Sequence, residues 1–370
     1  MMKSAILLTS MVAAYPAVAG EALLERAGAA IFKQSAAPGM VIAVVRGDQL
    51  TLLGYGETAP GNGQKPGPDS LLRVGSMSKV LATELMIKLA DDGKVRLSDP
   101  LQKYAPAGVT VPVWPGAQPI TLLNLATHTS GLARVIEGKQ AEQAAPFTWP
   151  GRELRWEWLQ RQTLANAPGA AAQYSNAAYG LLGDALASAG RQSYTQLLHD
   201  RLTGPLGMND TTASPSPQQC ARLMTGGKFN PSGPCLDTQA TASSGGMYST
   251  AADMARWMQH LLGVKHAGNP AQTAQALAIY LQRQELSAVA GLDKAGRASG
   301  LGLGWVQLAA SGNTPAILQK TGGGGGFMSY MALLPGRRTG VFVSVTSMNI
   351  DMFASLALSV NRLVVALDAE

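Results

Sequence analysis

The hydrophobic pattern divides the chain into three stretches. Near the N-terminus, residues 21–33 have helical periodicity. GMVIAVVRGDQLTLLGYGE (39–57) then reads as two apolar strands joined by a turn at Arg46-Gly47-Asp48. From Ser76 to about Ala240 helical segments dominate, at 76–92, 120–126, 151–164, 176–189 and 194–202, separated by Pro and Gly breaks. Past Gly245 the pattern gives a helix at 251–262 and a Gln/Ala-rich segment. Strands follow at 303–308, 316–321, 327–334 and 340–347, with a Pro335-Gly336 turn, and then a last helix at 351–367.

Strands at both ends with helices between them predict an α+β fold. The N-terminal hairpin pairs with the C-terminal strands in one antiparallel sheet, the terminal helices cover it, and a mostly helical domain is inserted. The expected division is 20–75 with 241–370 as the sheet domain and 76–240 as the helical one. A functional site is expected in the crevice between them.

Composition changes this picture at the N-terminus. Lys3, the apolar run 5–14 and the small-residue pattern Ala17-Val18-Ala19 form an export signal cleaved near Ala19. The run is too short to span a bilayer, and no later segment reads as long and apolar enough to do so. The chain is therefore expected in the periplasm, with peripheral membrane contact left open. Net charge is +6, from 29 basic and 23 acidic residues that are scattered rather than clustered, which argues against a nucleic-acid groove and favours small anionic substrates or the acidic cell envelope. Export also places Cys220 and Cys235 in an oxidising compartment, where they are expected to pair. His128, His199, His260 and His266 lack metal-ligand spacing and read as structural, so no metal is expected.

Three motifs carry chemistry. Ser76-Met77-Ser78-Lys79 is the one Ser-x-x-Lys in the chain. A helix starting at Ser76 puts the hydroxyl and amine on one face and gives the serine the positive end of a helix dipole. The apolar positions Met77, Val80, Leu81, Leu85, Ile87 and Leu89 mark that helix as buried, which desolvates Lys79 and lets it act as a neutral base. Tyr174-Ser175-Asn176 offers a phenol and an amide ahead of another helix. Lys320-Thr321-Gly322 ends an apolar strand, where a cation, a hydroxyl and a strand edge suit a peptide carboxylate; the glycines after it, Gly323 among them, permit close approach. Each motif alone reads equally as a cap, a packed ring or a strand end. All three in this order do not.

The set resembles the serine β-lactamase and penicillin-binding protein family, in particular its class C and low-molecular-mass DD-peptidase branch, where the middle motif is Tyr-x-Asn. LSDPLQKYAP (97–106), ITLLNLATHTSGL (120–132), PLGMNDT (205–211), SSGGMYSTAADMARWM (243–258) and QKTGGGGGF (319–327) extend the likeness over most of the chain. The resemblance implies a D-alanyl-D-alanine carboxypeptidase or endopeptidase acting on peptidoglycan peptides and acylated by β-lactams. Ser76 is then the nucleophile, Lys79 the base and Tyr174 a proton relay. Asn176, Lys320, Thr321, Gly322 and Gly323 hold substrate, with no metal or organic cofactor. His128 belongs to a structural turn in this likeness. Gln319 stands where many class C β-lactamases have His. A class C-type β-lactamase, an esterase of the same fold and a non-turnover muropeptide or β-lactam sensor stay open as alternatives.

Overall fold

A computed structural model describes residues 16–137, 145–227, 233–265 and 269–369. The expected export signal lies mostly, and His266 wholly, outside the described residues. The helices are α1 (Pro16–Ser35), α2 (Ser78–Asp91), α3 (Leu122–Ala126), α4 (Arg152–Gln160), α5 (Asn176–Gly190), α6 (Tyr194–Leu198), α7 (Pro217–Cys220), α8 (Ala251–Leu261), α9 (Pro270–Leu277) and α10 (Ile350–Ala369). The strands are β1 (Gly39–Arg46), β2 (Gln49–Gly56), β3 (Leu71–Arg73), β4 (Ala172–Gln173), β5 (Tyr248–Thr250), β6 (Ile279–Gln282), β7 (Val289–Ala290), β8 (Ala298–Gly302), β9 (Val306–Leu308), β10 (Ile317–Gly324), β11 (Phe327–Leu334) and β12 (Thr339–Val345).

One eight-stranded antiparallel sheet runs β2-β1-β12-β11-β10-β9-β8-β6. The N-terminal hairpin joins the C-terminal strands through β1 and β12, with Met40 opposite Val345 and Val45 opposite Gly340. Both faces are covered, which is why β1 reads as a continuous apolar run rather than an alternating one. Met40, Ile42 and Val44 pack with Leu24 and Ile31 of α1 and with Phe353, Leu356, Val360 and Val364 of α10. Val41, Ala43 and Val45 face the other way, into the large core that holds α2, α5 and α8.

Several boundaries differ from the sequence reading for local reasons. α2 starts at Ser78, because residues 75–77 form a tighter 3₁₀ turn after Gly75, whose φ is +54°. The strand expected at 303–308 is shortened to β9, because the chain turns at Gly304, with φ +77°, and an unexpected strand, β8, precedes that turn. Periodicity did not reveal the two-stranded ribbons β3–β5 and β4–β7, which are too short to show a period. By length and composition α10 could cross a membrane, with a mean hydropathy of 1.6, contrary to the expectation that no later segment would. Its apolar stripe is instead spent on the sheet and α1, while Ile350 and Leu358 remain exposed. Cys220 and Cys235 form a disulfide with a Cα–Cα distance of 5.7 Å.

A buried carboxylate ties α2 to α8. Glu84 accepts a hydrogen bond from Trp257 Nε1 (2.7 Å) and pairs with His260 Nε2 (2.7 Å), both on α8. Removing the carboxylate leaves the buried Trp257 N–H without its acceptor and His260 Nε2 with only Thr273 Oγ1 at 3.4 Å. Glu84→Ala is expected to lower the unfolding free energy by about 3 kcal/mol, read as a shift of the urea midpoint at unchanged m-value.

Candidate active site

Ser76 is brought into place by backbone contacts. Its 3₁₀ turn follows the short strand β3, and the amide of Val74 donates to Met247 O (3.1 Å). Gly75 is pressed against β10: a Cβ on it would lie 2.6 Å from Gly323 N and 2.9 Å from Gly323 O. Gly322 is similarly tight, since a Cβ there would lie 2.3 Å from Val74 O. These glycines set how closely the serine-bearing turn approaches the strand. β9 pairs with β10 only over Ile317–Gln319, which leaves the outer edge beyond Gln319 open towards the serine.

Lys79 lies one turn into the helical run, with no accessible surface. Its Nζ donates to Asn176 Oδ1 (2.8 Å) and to the carbonyl of Ser244, and sits 3.2 Å from Ser76 Oγ. All three acceptors are neutral. Burial holds the amine well below the ordinary lysine range, and the nearby charges of Lys320 and Arg134 push the same way. A neutral amine has two N–H bonds and one lone pair. If Asn176 and Ser244 take the two N–H bonds, the lone pair is left for the Ser76 hydroxyl proton.

Tyr174 Oη donates to Ser76 Oγ from another side (2.5 Å). Burial pushes its phenol up to about 12, so it stays protonated and is a proton donor rather than the initial base. Lys320 is also buried. Desolvation lowers its amine to about 7, and Nζ lies 5.5 Å from the centre of the Tyr174 ring. Thr321, the next residue on β10, is half-buried. The predicted residues Ser76, Lys79, Tyr174, Asn176 and Lys320 therefore converge around one hydroxyl, with Gly322 and Gly323 on the adjoining strand. The Cys220–Cys235 disulfide lies elsewhere, though Pro234 beside it accepts from Arg73 (2.6 Å), on the strand that leads to Ser76.

Three contributors were not foreseen. His128, read as part of a structural turn, does adopt a left-handed conformation with φ +62°. It also stacks on Tyr174 with ring centroids 4.5 Å apart, and its Nδ1 accepts from the Ser175 amide (3.0 Å). Burial, helped by Lys320, Lys79 and Arg134, keeps it neutral. Arg134 lies over the Tyr174 ring at 4.8 Å. Ser244 acts through its carbonyl, which no side-chain motif could disclose. Ser76 and Asn176 open onto a cavity of about 600 Å³, walled by Val135, Phe147, Trp149 and Gly323–Gly325 among others. Three other surface depressions measure only about 220–240 Å³.

A nucleophile between an amine and a phenol, at the edge of an antiparallel sheet backed by helices, defines a serine acyltransferase site of the β-lactamase/DD-peptidase fold. The β-lactamase family model matches residues 21–365, and the chain belongs to that family. D-alanyl-D-alanine-carboxypeptidase/endopeptidase AmpH of Escherichia coli K12 is 45% identical over 97% of this chain and 93% of its own length. A crystal structure of a β-lactamase/D-alanine carboxypeptidase from Yersinia pestis, complexed with citrate, is 45% identical, with a TM-score of 0.90 over 95% of this chain and 99% of that one. The D-alanine carboxypeptidase AmpC of Burkholderia cenocepacia, at 24% identity and a TM-score of 0.73 over 93% and 99% of the two chains, shows the fold alone.

His128→Ala removes both the ring under Tyr174 and the acceptor for Ser175. It is expected to slow acylation by a fluorescent penicillin about tenfold or more at unchanged far-UV circular dichroism, because displacing a reacting group by about 1 Å is costly.

Proposed function

We infer that this protein is a serine DD-peptidase, a D-Ala-D-Ala carboxypeptidase and endopeptidase acting on peptidoglycan peptides. The observation that carries the reading is the desolvated Lys79 amine 3.2 Å from Ser76 Oγ, with a protonated Tyr174 on the other side of that oxygen. The activity named for the 45% identical relative supports it. Ser76 Oγ attacks the carbonyl between two D-alanines as its proton passes to Lys79. The backbone amides of Ser76 and Gly323 receive the oxyanion. Tyr174 protonates the departing nitrogen and is reprotonated from Lys79. Asn176 orients Lys79 and the substrate amide, and Lys320 and Thr321 hold the terminal carboxylate. Water then hydrolyses the acyl-enzyme, and a β-lactam acylates the same serine. We further propose that 20–75 with 241–370 and 76–240 act as two domains meeting at this cleft. In the same reading the chain is exported to the periplasm with cleavage near Ala19. That would trim the first turn of α1 and keep Leu24 and Ile31 packed on the sheet.

The test is parallel incubation with a pentapeptide muropeptide, a cross-linked dimer and a chromogenic cephalosporin. D-alanine release with slow cephalosporin turnover is expected. Fast cephalosporin turnover alone would make the protein a β-lactamase, and stoichiometric acylation without turnover a sensor.

Lys79→Ala is expected to reduce acylation by a fluorescent penicillin at least a hundredfold, in line with loss of a general base. Full acylation would remove Lys79 from that role.

The two lysines give opposite pH effects. Lys79 works as the neutral amine, so acylation falls as pH drops through its lowered pKa. Lys320 holds a carboxylate as the cation, so binding weakens as pH rises through about 7. KM for a D-alanyl-D-alanine peptide is expected to rise above that pH, whereas KM for the corresponding C-terminal methyl ester is expected to stay flat.

A further inference from the structure

Phe147 sits where a glycine-rich strand end meets the loop that holds Lys79. Its backbone is left-handed, with φ +67°, an uncommon conformation for a bulky residue. Thr241 Oγ1 donates to its carbonyl (2.5 Å), which fixes the backbone in that state. The ring is fitted against three glycines from two segments. A Cβ on Gly324 would lie 2.3 Å from Phe147 Cζ, one on Gly325 3.3 Å from Cε2, and one on Gly245 2.9 Å from Cε1. A C–C bond is about 1.5 Å, so those Cα atoms lie within about 5 Å of the ring, and that of Gly324 within about 4 Å. Gly324 directly follows Gly323, which lies against the serine-bearing turn. Gly245 directly follows Ser244, whose carbonyl accepts from Lys79. Phe147, Gly245, Gly323 and Ser76 line the same cavity.

We propose that Phe147 is a positioning residue for acyl transfer: its ring, wedged between Gly324–Gly325 and Gly245, fixes the Gly323 backbone and the Ser244 carbonyl on the two sides of Ser76. This rests on the acyl-enzyme reading of the site. It gives the glycine run a specific purpose, because a side chain at Gly324 or Gly245 would occupy the space of the ring. Ser243 and Ser244 hold their turn from behind through hydroxyls on Tyr179 O (2.9 Å) and Thr241 O (3.2 Å), and the Phe147 ring supplies the contact on the cavity side, where the glycines offer no side chain. Phe147 acts on where backbone groups stand rather than on substrate affinity, so its loss should appear in the rate of chemistry.

The experiment measures kcat and KM for D-alanine release, the acylation rate with a fluorescent penicillin, and the thermal midpoint. It covers wild type, Phe147→Ala, Phe147→Tyr, Gly245→Ala and the Phe147→Ala/Gly245→Ala double variant. Phe147→Ala is expected to lose at least tenfold in kcat and acylation rate, with KM changed less than twofold. Phe147→Tyr should stay within threefold of wild type. Gly245→Ala, whose new methyl meets the Phe147 ring first, at 2.9 Å from Cε1, should lose a similar factor in the wild-type background and less than twofold more in Phe147→Ala. If Phe147→Ala proves too unstable to assay, Gly245→Ala interrogates the same contact with Phe147 retained. Wild-type acylation by Phe147→Ala, a wild-type rate for Gly245→Ala, or equal losses from Gly245→Ala in both backgrounds would overturn the proposal. A wild-type protein that penicillin does not acylate at all would fail the functional reading, and this proposal with it.

Discussion

The structure depends on keeping one amine out of water without giving it a counter-ion. An ammonium in a low-dielectric interior costs far more than a neutral amine, and a carboxylate beside it would restore the charge. Lys79 is surrounded by a hydroxyl, an amide oxygen and a carbonyl, with Lys320 and Arg134 as its charged influences. Each of these keeps it poised to accept a proton, and each comes from a different part of the chain. Asn176 opens α5, Ser244 ends a turn before β5, and Lys320 lies on β10. The helices and sheet can be understood as the frame that brings these groups to one buried point.

The sheet achieves this by uniting the two ends of the chain. β1 and β12 make the join between the two ends, and β10, in the middle of the sheet, presents Lys320 and the glycines at the edge where β9 stops. α1 and α10 seal one face, and α2, which carries Lys79, belongs to the core on the other. Hydrophobic burial on both faces therefore fixes the distance between the serine turn and the strand, and glycine fixes how small that distance can be.

Much of this was legible in the sequence, for identifiable reasons. Ser76, Lys79, Tyr174, Asn176 and Lys320 were found because their side-chain types and spacing carry the chemistry, and the long apolar helix and strands because their periods persist over enough residues to be read. What stayed hidden acts through backbone or through distant partners. Ser244 contributes a carbonyl, Gly75 an absence of Cβ, and His128 a ring face that matters only once Tyr174 lies on it. The break at Gly304 and the three-residue ribbons were lost because a single φ, or one cycle of alternation, leaves no periodic trace. α10 shows the converse: composition that would suit a bilayer is used by the sheet, and only packing distinguishes the two.

The pairing of β1 with β12 has a consequence for when this molecule can react. A chain synthesised as far as residue 300 already contains Ser76, Lys79, Tyr174 and Asn176, but has neither Lys320 nor the strand that completes the sheet. The β1–β12 pairing spans almost the whole chain, so it carries a large loop-closure cost that is met only once the late strands are present. The amine then stays hydrated and protonated in any nascent, truncated or unfolded form. The neutral amine that the nucleophile needs is therefore a product of the finished sheet rather than of the local Ser-x-x-Lys sequence.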